Sequence, residues 1–178
     1  MIFTDDTEET LRAAVWLVNS AEDPDTLNSL SDEAAFLGQF GYTGRIDRDE
    51  AELAGLRAIR PQLRTMLLAP RDDMAAAVNE ALAGVSLAPR LARHGAVDWH
   101  LHAVADDHPL PERVIVETAM ALIDVIRAEE GSRISVCADD TCEALALDLS
   151  RNRSKRYCST VCANRNAVAA YRARRAEA

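Results

Sequence analysis

The run CADDTCEALALDLSRNRSKRYCSTVCANRNAVAAYRARR, residues 137–175, contains every cysteine of the chain. Cys137 and Cys142 enclose four residues, fifteen follow, and Cys158 and Cys162 enclose three. Two close pairs joined by a mid-length loop are the arrangement a tetrahedral zinc site needs. Each pair makes a tight turn that sets two sulfurs on one side of the metal, and the loop brings the turns together. Two disulfides or a redox pair are the rivals. No mark of secretion favours disulfides, and the spacing with established redox logic has two intervening residues rather than three. The reading adopted is one structural Zn²⁺ on Cys137, Cys142, Cys158 and Cys162. A module of about 40 residues has little core of its own, so the metal would supply much of its folding free energy.

Outward from this run, charge divides the chain. Net charge is −9 over 178 residues. Residues 1–136 hold 24 acidic and 12 basic side chains, whereas 137–178 hold 5 and 8. Between 149 and 175 there are eight basic residues and no acidic one. Such asymmetry points to two parts with different partners. Apolar content of 48% suffices for a buried core, and aromatic content of only 4% means that Leu, Val, Ile and Ala must build it. There is no apolar stretch of bilayer length and no charged-then-apolar leader at Met1, so a soluble cytoplasmic protein is expected.

Before residue 137 the periodicity is mainly helical. Thr7 is placed to cap a helix with Leu11, Ala14, Val15 and Val18 on one stripe. Ser31 is placed to cap a second helix carrying Phe36 and Leu37, broken by Gly38 to Gly44. Asp47 with Glu50 resembles a capping box. It opens a helix from Leu53 to Leu67 that Pro61 should kink or split. Asp72 starts another helix, ending near Gly84. Alternating residues 85–91 and 97–103 flank His94-Gly95 and predict a β-hairpin with Trp99 and Leu101 toward the core. Pro111 opens a long helix ending at Gly131, and residues 134–136 read as a strand. The fold class is therefore α+β, mostly α. A helical domain with a small antiparallel sheet spans 1–132, and a four-cysteine zinc module ending in a helix spans 133–178.

The basic surplus of the module marks a candidate nucleic-acid surface. Arg153, Lys155, Arg156 and Arg165 flank the ligands, where part of their charge can neutralise four thiolates on Zn²⁺. The last helix puts Arg165, Arg172 and Arg175 within about 80° of arc, a stripe suited to successive phosphates. Asn164 could read a base edge or brace the turn. Tyr157 and Tyr171 are expected to pack against the module.

These residues resemble the CGNR zinc finger. The features that match are the two cysteine pairs, Asp148, Ser150, Asn152, Arg153, Lys155, Arg156, Cys158-Ser159, and Cys162, Asn164 and Arg165. Ala163 stands where the family has glycine, which is harmless if that position only opens a helix. Leu147 stands where an aromatic residue is usual. The resemblance implies an N-terminal ABATE domain, a family assigned by inference to stress-induced transcription regulation. The segment Trp16-Leu17-Val18-Asn19 is similar to its start. The finger match covers about 40 residues, and the N-terminal one rests on few.

Other candidates are weaker. His100 and His102 share one strand face and, with His94 or His108, could bind a second metal, although a polar strand face is the simpler reading. Asn19, Arg60 and Asn79 interrupt helical stripes and are expected to make interior hydrogen bonds. No nucleophile–base arrangement, phosphate-cradling loop or paired-carboxylate motif stands out, so no enzyme is expected. The expected function is a DNA-binding transcription regulator whose helical domain dimerises or senses a small-molecule effector. The alternative is a zinc-stabilised protein–protein module.

Overall fold

The computed structural model describes residues 3–94 and 97–176. Its body is built around two helices, α1 (Asp5–Asn19) and α6 (Leu110–Arg127), packed against each other. The expected stripe of α1 is buried: Leu11, Ala14, Val15 and Val18 all lie inside. The helix starts earlier than expected, at N-cap Thr4. Thr7 sits inside the first turn, where its hydroxyl donates to Asp124 Oδ2 on α6 at 2.7 Å.

Helix α2 (Leu30–Phe40) is capped by Ser29 in a reciprocal box with Asp32, two residues before the expected Ser31, and Gly41 ends it at φ +62°. Phe36 is fully buried and stacks on Trp16 with centroids 5.1 Å apart. Asp49, not Asp47, caps α3 (Glu50–Ala58), its side chain accepting from the Glu52 amide at 2.8 Å. Pro61 splits the next stretch as expected, lying in the first turn of α4 (Arg60–Leu68). Helix α5 (Arg71–Ala83) packs on α6 and stops at Gly84. Between α3 and α6 the chains approach so closely that a Cβ on Gly55 would lie 2.8 Å from the Pro111 ring.

The hairpin forms, β1 (Arg90–His94) antiparallel to β2 (Val97–His102), with Leu91 opposite Leu101 and Ala92 opposite His100. Gly95, where the sequence places the turn, lies outside the described residues. The sheet presents the reverse of the expected face. Trp99 and Leu91 are 63% and 66% exposed and Leu101 is exposed too, whereas His102 is buried. Alternation fixes which residues share a face but not which face is covered, and here the body receives the histidine side.

After α6 the chain turns at Glu129, φ +58°, so the helix ends before Gly131, which opens a single 3-10 turn. Strand β3 (Ile134–Val136) then pairs antiparallel with β4 (Leu145–Leu147). This second sheet joins the cysteine module to the body: Ile134, Leu145 and Leu147 belong to the same apolar core as Leu11, Leu56 and Leu122. Leu147, at the position where the resembling family has an aromatic residue, fills its place there as a buried aliphatic. Helix α7 (Thr160–Ala176) leaves the zinc turn. Among the described residues no helix is long and apolar enough to cross a membrane.

Candidate metal centre and nucleic-acid interface

Two knuckles bring the four sulfurs together. In the first, the Cys142 amide donates to Asp139 O at 2.9 Å, closing the turn from Cys137. In the second, Ser159 caps α7, its hydroxyl accepting from the Cys162 amide at 3.3 Å. The cap fixes Cys162 one helical turn from Cys158. All four Sγ atoms lie within 4.8 Å of one another, with Cys142 to Cys158 at 3.6 Å and Cys158 to Cys162 at 3.7 Å. Four sulfurs at about 2.3 Å from one ion would sit about 3.8 Å apart, so the donor set fits one structural Zn²⁺. Ahead of metal binding the thiols differ. Burial pushes Cys142 up and Cys158 up to about 12, whereas the Ser159 hydroxyl, helped by Arg165, brings Cys162 down to about 7. Zinc uptake by such a set must expel protons. Among the described residues this is the one cluster of three or more metal-ligating side chains, and His100 and His102 belong to no other. Those two rings hydrogen-bond instead, Nε2 to Nε2 at 3.0 Å, while the side chain of His94 lies outside the described residues.

The hydrogen bonds around the sulfurs assign roles that spacing alone did not. Asp139 is buried and ties the first knuckle to α7. Its Oδ1 accepts from the Thr141 amide and hydroxyl at 3.0 and 2.7 Å. Its Oδ2 accepts from Asn166 Nδ2 at 2.7 Å and pairs with Arg165 Nε at 2.8 Å. These contacts hold the Asp139 carboxyl below its ordinary value, the Thr141 hydroxyl most of all. Arg165 also donates to the Cys162 sulfur at 3.3 Å and to Thr141 at 2.9 Å. It therefore braces the metal centre, as a donor to a thiolate should. The only advance sign of Asp139 is the local Asp-x-Thr pattern of an Asx turn.

A second carboxylate organises the loop. Asp148 accepts from the Ser150 and Lys155 amides, both at 2.8 Å, and bends residues 150–155 back toward β4. Arg133, buried and unmarked by any sequence signal, donates to the Asp148 and Ser150 carbonyls at 2.9 Å and pairs with Glu130 at 2.8 Å. Arg153, at φ +49°, also pairs with Glu130 at 2.8 Å. Lys155 and Arg156 are exposed beside a shallow cleft of about 240 Å³ that Arg133 and Arg153 also line. Among the described residues they form no ion pair, nor do Arg172, Arg174 or Arg175 on α7.

Helix α7 itself is bare. Only Cys162 is buried, and residues 167–176 are all exposed. Asn164 points to solvent, and Tyr171 does not pack against the module as expected, being 54% exposed. Ala163 lies inside the helix and is not among the residues with positive φ, so a side chain is no burden there.

Two internal hydrogen bonds expected from the sequence are present. Asn19 donates to Leu145 O at 2.9 Å and accepts from its amide at 2.6 Å, fastening α1 to β4, and Arg60 pairs with Asp25 at 2.8 Å. Asn79 is exposed.

Comparison with known proteins accords with this geometry. The family model described as CGNR zinc finger matches residues 133–175. The ABATE model, described as "Putative stress-induced transcription regulator", matches residues 11–129. Neither is an enzyme family. No curated protein matches the chain. The chain belongs to the ABATE family and carries, after that domain, a CGNR zinc finger with a structural Zn²⁺ site.

Proposed function

We propose that the protein is a DNA-binding transcription regulator that acts in the cytoplasm. Residues 133–178 would serve as its DNA-contacting unit, and residues 1–132 as a sensing or dimerising unit. One observation carries this reading: α7 leaves the zinc turn with residues 167–176 exposed and, among the described residues, Arg172, Arg174 and Arg175 in no ion pair. Zinc on the four cysteines would fix the helix base, and Arg165, spent on Asp139 and Cys162, would hold its direction. Arg172 and Arg175 are left for successive phosphates, Lys155 and Arg156 for a further one, and Asn164 for a base edge. Arg153 keeps the loop in place through Glu130. The acidic body repels phosphate, so a dimer presenting two helices would help the balance. The exposed hairpin face of Leu91, Trp99 and Leu101 is the apolar surface such a dimer would use.

Titrating duplex DNA against salt tests the proposal. Affinity should fall linearly on a log–log plot, with a slope near −0.9 per phosphate engaged. Replacing Arg172 and Arg175 together by Ala should make the slope shallower by about 2. An unchanged slope would remove α7 from the interface.

The protein–protein alternative has its own support. Val161, Val168 and Tyr171, exposed at 70%, 48% and 54%, lie on the same side of α7 as the arginines. A partner protein held there would bind with little salt dependence.

A further inference from the structure

A cavity of about 450 Å³ opens in the body, away from the cysteines, between α1, the end of α2 with its following turn, β2 and α6. Its wall is chemically lopsided. Asp6 and Glu9 come from α1, and Glu117 and Asp124 from α6. The two arginines that line it do not balance them. Arg113 is buried and already donates to the carbonyls of Thr43, Arg45 and His108. Arg127 is exposed at the rim. Asp124 is partly engaged by Thr7.

Two polar groups border this space. Among the described residues neither the Glu117 carboxyl nor the Tyr42 hydroxyl meets a hydrogen-bond partner, and both border the cavity. Burial pushes the Glu117 carboxyl up to about 7 and the Tyr42 phenol well above its ordinary value. Neither oxygen is sealed from solvent, so a ligand's donor would take the place of water at both. Beside these groups the wall is apolar and aromatic, formed by Phe40, the Tyr42 ring, Met120 and Ile123. Phe40 and Tyr42 are held in place by Phe36, at centroid distances of 5.3 Å each. Gly44 shapes the adjoining turn: its φ is +79°, and a Cβ there would lie 2.8 Å from Asp106 O.

We infer that this cavity binds a small organic cation, an amine whose ammonium sits between Glu117 and Tyr42 and whose apolar body lies on Phe40 and Met120. The ammonium supplies the donors that both groups lack, and the aromatic faces favour a cation over an anion. Asp6, Glu9, Asp124 and Glu117 outnumber Arg113 and Arg127, with His100 and His102 also in the wall, so the balance of charge favours a cation over a carboxylate or phosphate ligand. The volume suits a ligand of modest size. This gives a ligand class to the sensing role proposed above and takes its biological meaning from it. The binding test contains no DNA, so its failure would leave the DNA reading standing.

The test uses the zinc-loaded full chain and three probes of one shape: phenethylamine, 2-phenylethanol and phenylacetate. Calorimetry should show phenethylamine binding about tenfold more tightly than the alcohol, and phenylacetate more weakly than either. Glu117→Gln should weaken the amine by about tenfold and leave the alcohol unchanged. Amide chemical-shift changes on the unmodified chain should gather on residues 38–43 and 113–124, which locates the site without any variant. The inference is overturned if phenylacetate matches the amine, if Glu117→Gln leaves amine affinity intact, if shifts gather elsewhere, or if the amine shows no saturable binding in the millimolar range.

Discussion

Helices α1 and α7 have similar lengths, fifteen and seventeen residues, and opposite means of support. Eight residues of α1 are buried and one of α7. An isolated helix of such length is marginal in water, so each needs help from outside its own hydrogen bonds. For α1 the help is an apolar stripe against α6 and α4. For α7 it is a capped first turn whose second cysteine is fixed by metal and whose Arg165 and Asn166 grip Asp139. The contrast teaches that α7 needs little apolar burial because its fixed points are polar and metallic, the apolar anchoring of the finger being left to β3 and β4. The surface this leaves uncovered is the one available for recognition.

The largest break in that contrast should come from the metal. Stripping zinc with a chelator, or replacing Cys162 by Ser, should unwind α7 while α1 stays folded. Circular dichroism should lose a helix signal proportionate to α7, and hydrogen exchange should quicken there before it does in α1. Concurrent loss of both helices would show that the body also depends on the metal. Next in size is Leu11→Ala, at a fully buried position of α1, which should cost about 2–5 kcal/mol in denaturant unfolding and leave zinc content at one per chain.

Acid chemistry sharpens the comparison further, because the body holds a buried carboxyl without a hydrogen bond. Glu33 is raised to about 7, first by burial and then by Glu52, whose oxygens already accept from the Asp47 and Arg48 amides. Its folded value lies above the ordinary 4.5, so its contribution favours folding below that pH. Stability should then fall as pH rises to about 7 and level off above it. Glu33→Gln should make this slope shallower, Glu117 keeping its own share, and raise stability at pH 8 by on the order of 2 kcal/mol, read from melts across the range.

The joint between the two regions is smaller in effect. Asn19→Ala removes both bonds to Leu145 and should cost about 1–3 kcal/mol, with faster exchange of the Leu145 amide. Smallest is Arg172→Ala with Arg175→Ala, which should stay within about 0.5 kcal/mol in stability and change only what binds to α7.

The zinc turns were legible because thiolate spacing is a local constraint, and the α1 stripe because helical periodicity directly reports burial. Cap positions slipped by two residues at Ser29 and Asp49, since several Ser and Asp residues compete near each helix start and only tertiary fit decides among them. The hairpin face was reversed for a related reason: alternation gives two faces, and nothing local to Trp99 or His102 says which meets the helical body. Sheet β3–β4 was half visible, its second strand being three residues of an otherwise loop-like run. The bonds from Asp139 to α7 and the cavity around Glu117 assemble from segments far apart in the chain, so no window of sequence displays them.

The two ends of α1 have different neighbours. At its start Asp6, Thr7 and Glu9 border the cavity, and at its end Asn19 grips the strand that leads from one zinc knuckle to the other. A fifteen-residue helix is a stiff rod of about 22 Å. A tilt of a few degrees at one end of such a rod displaces the other by about an ångström, so a ligand in the proposed pocket that shifted the start of α1 would shift Asn19 and β4 with it.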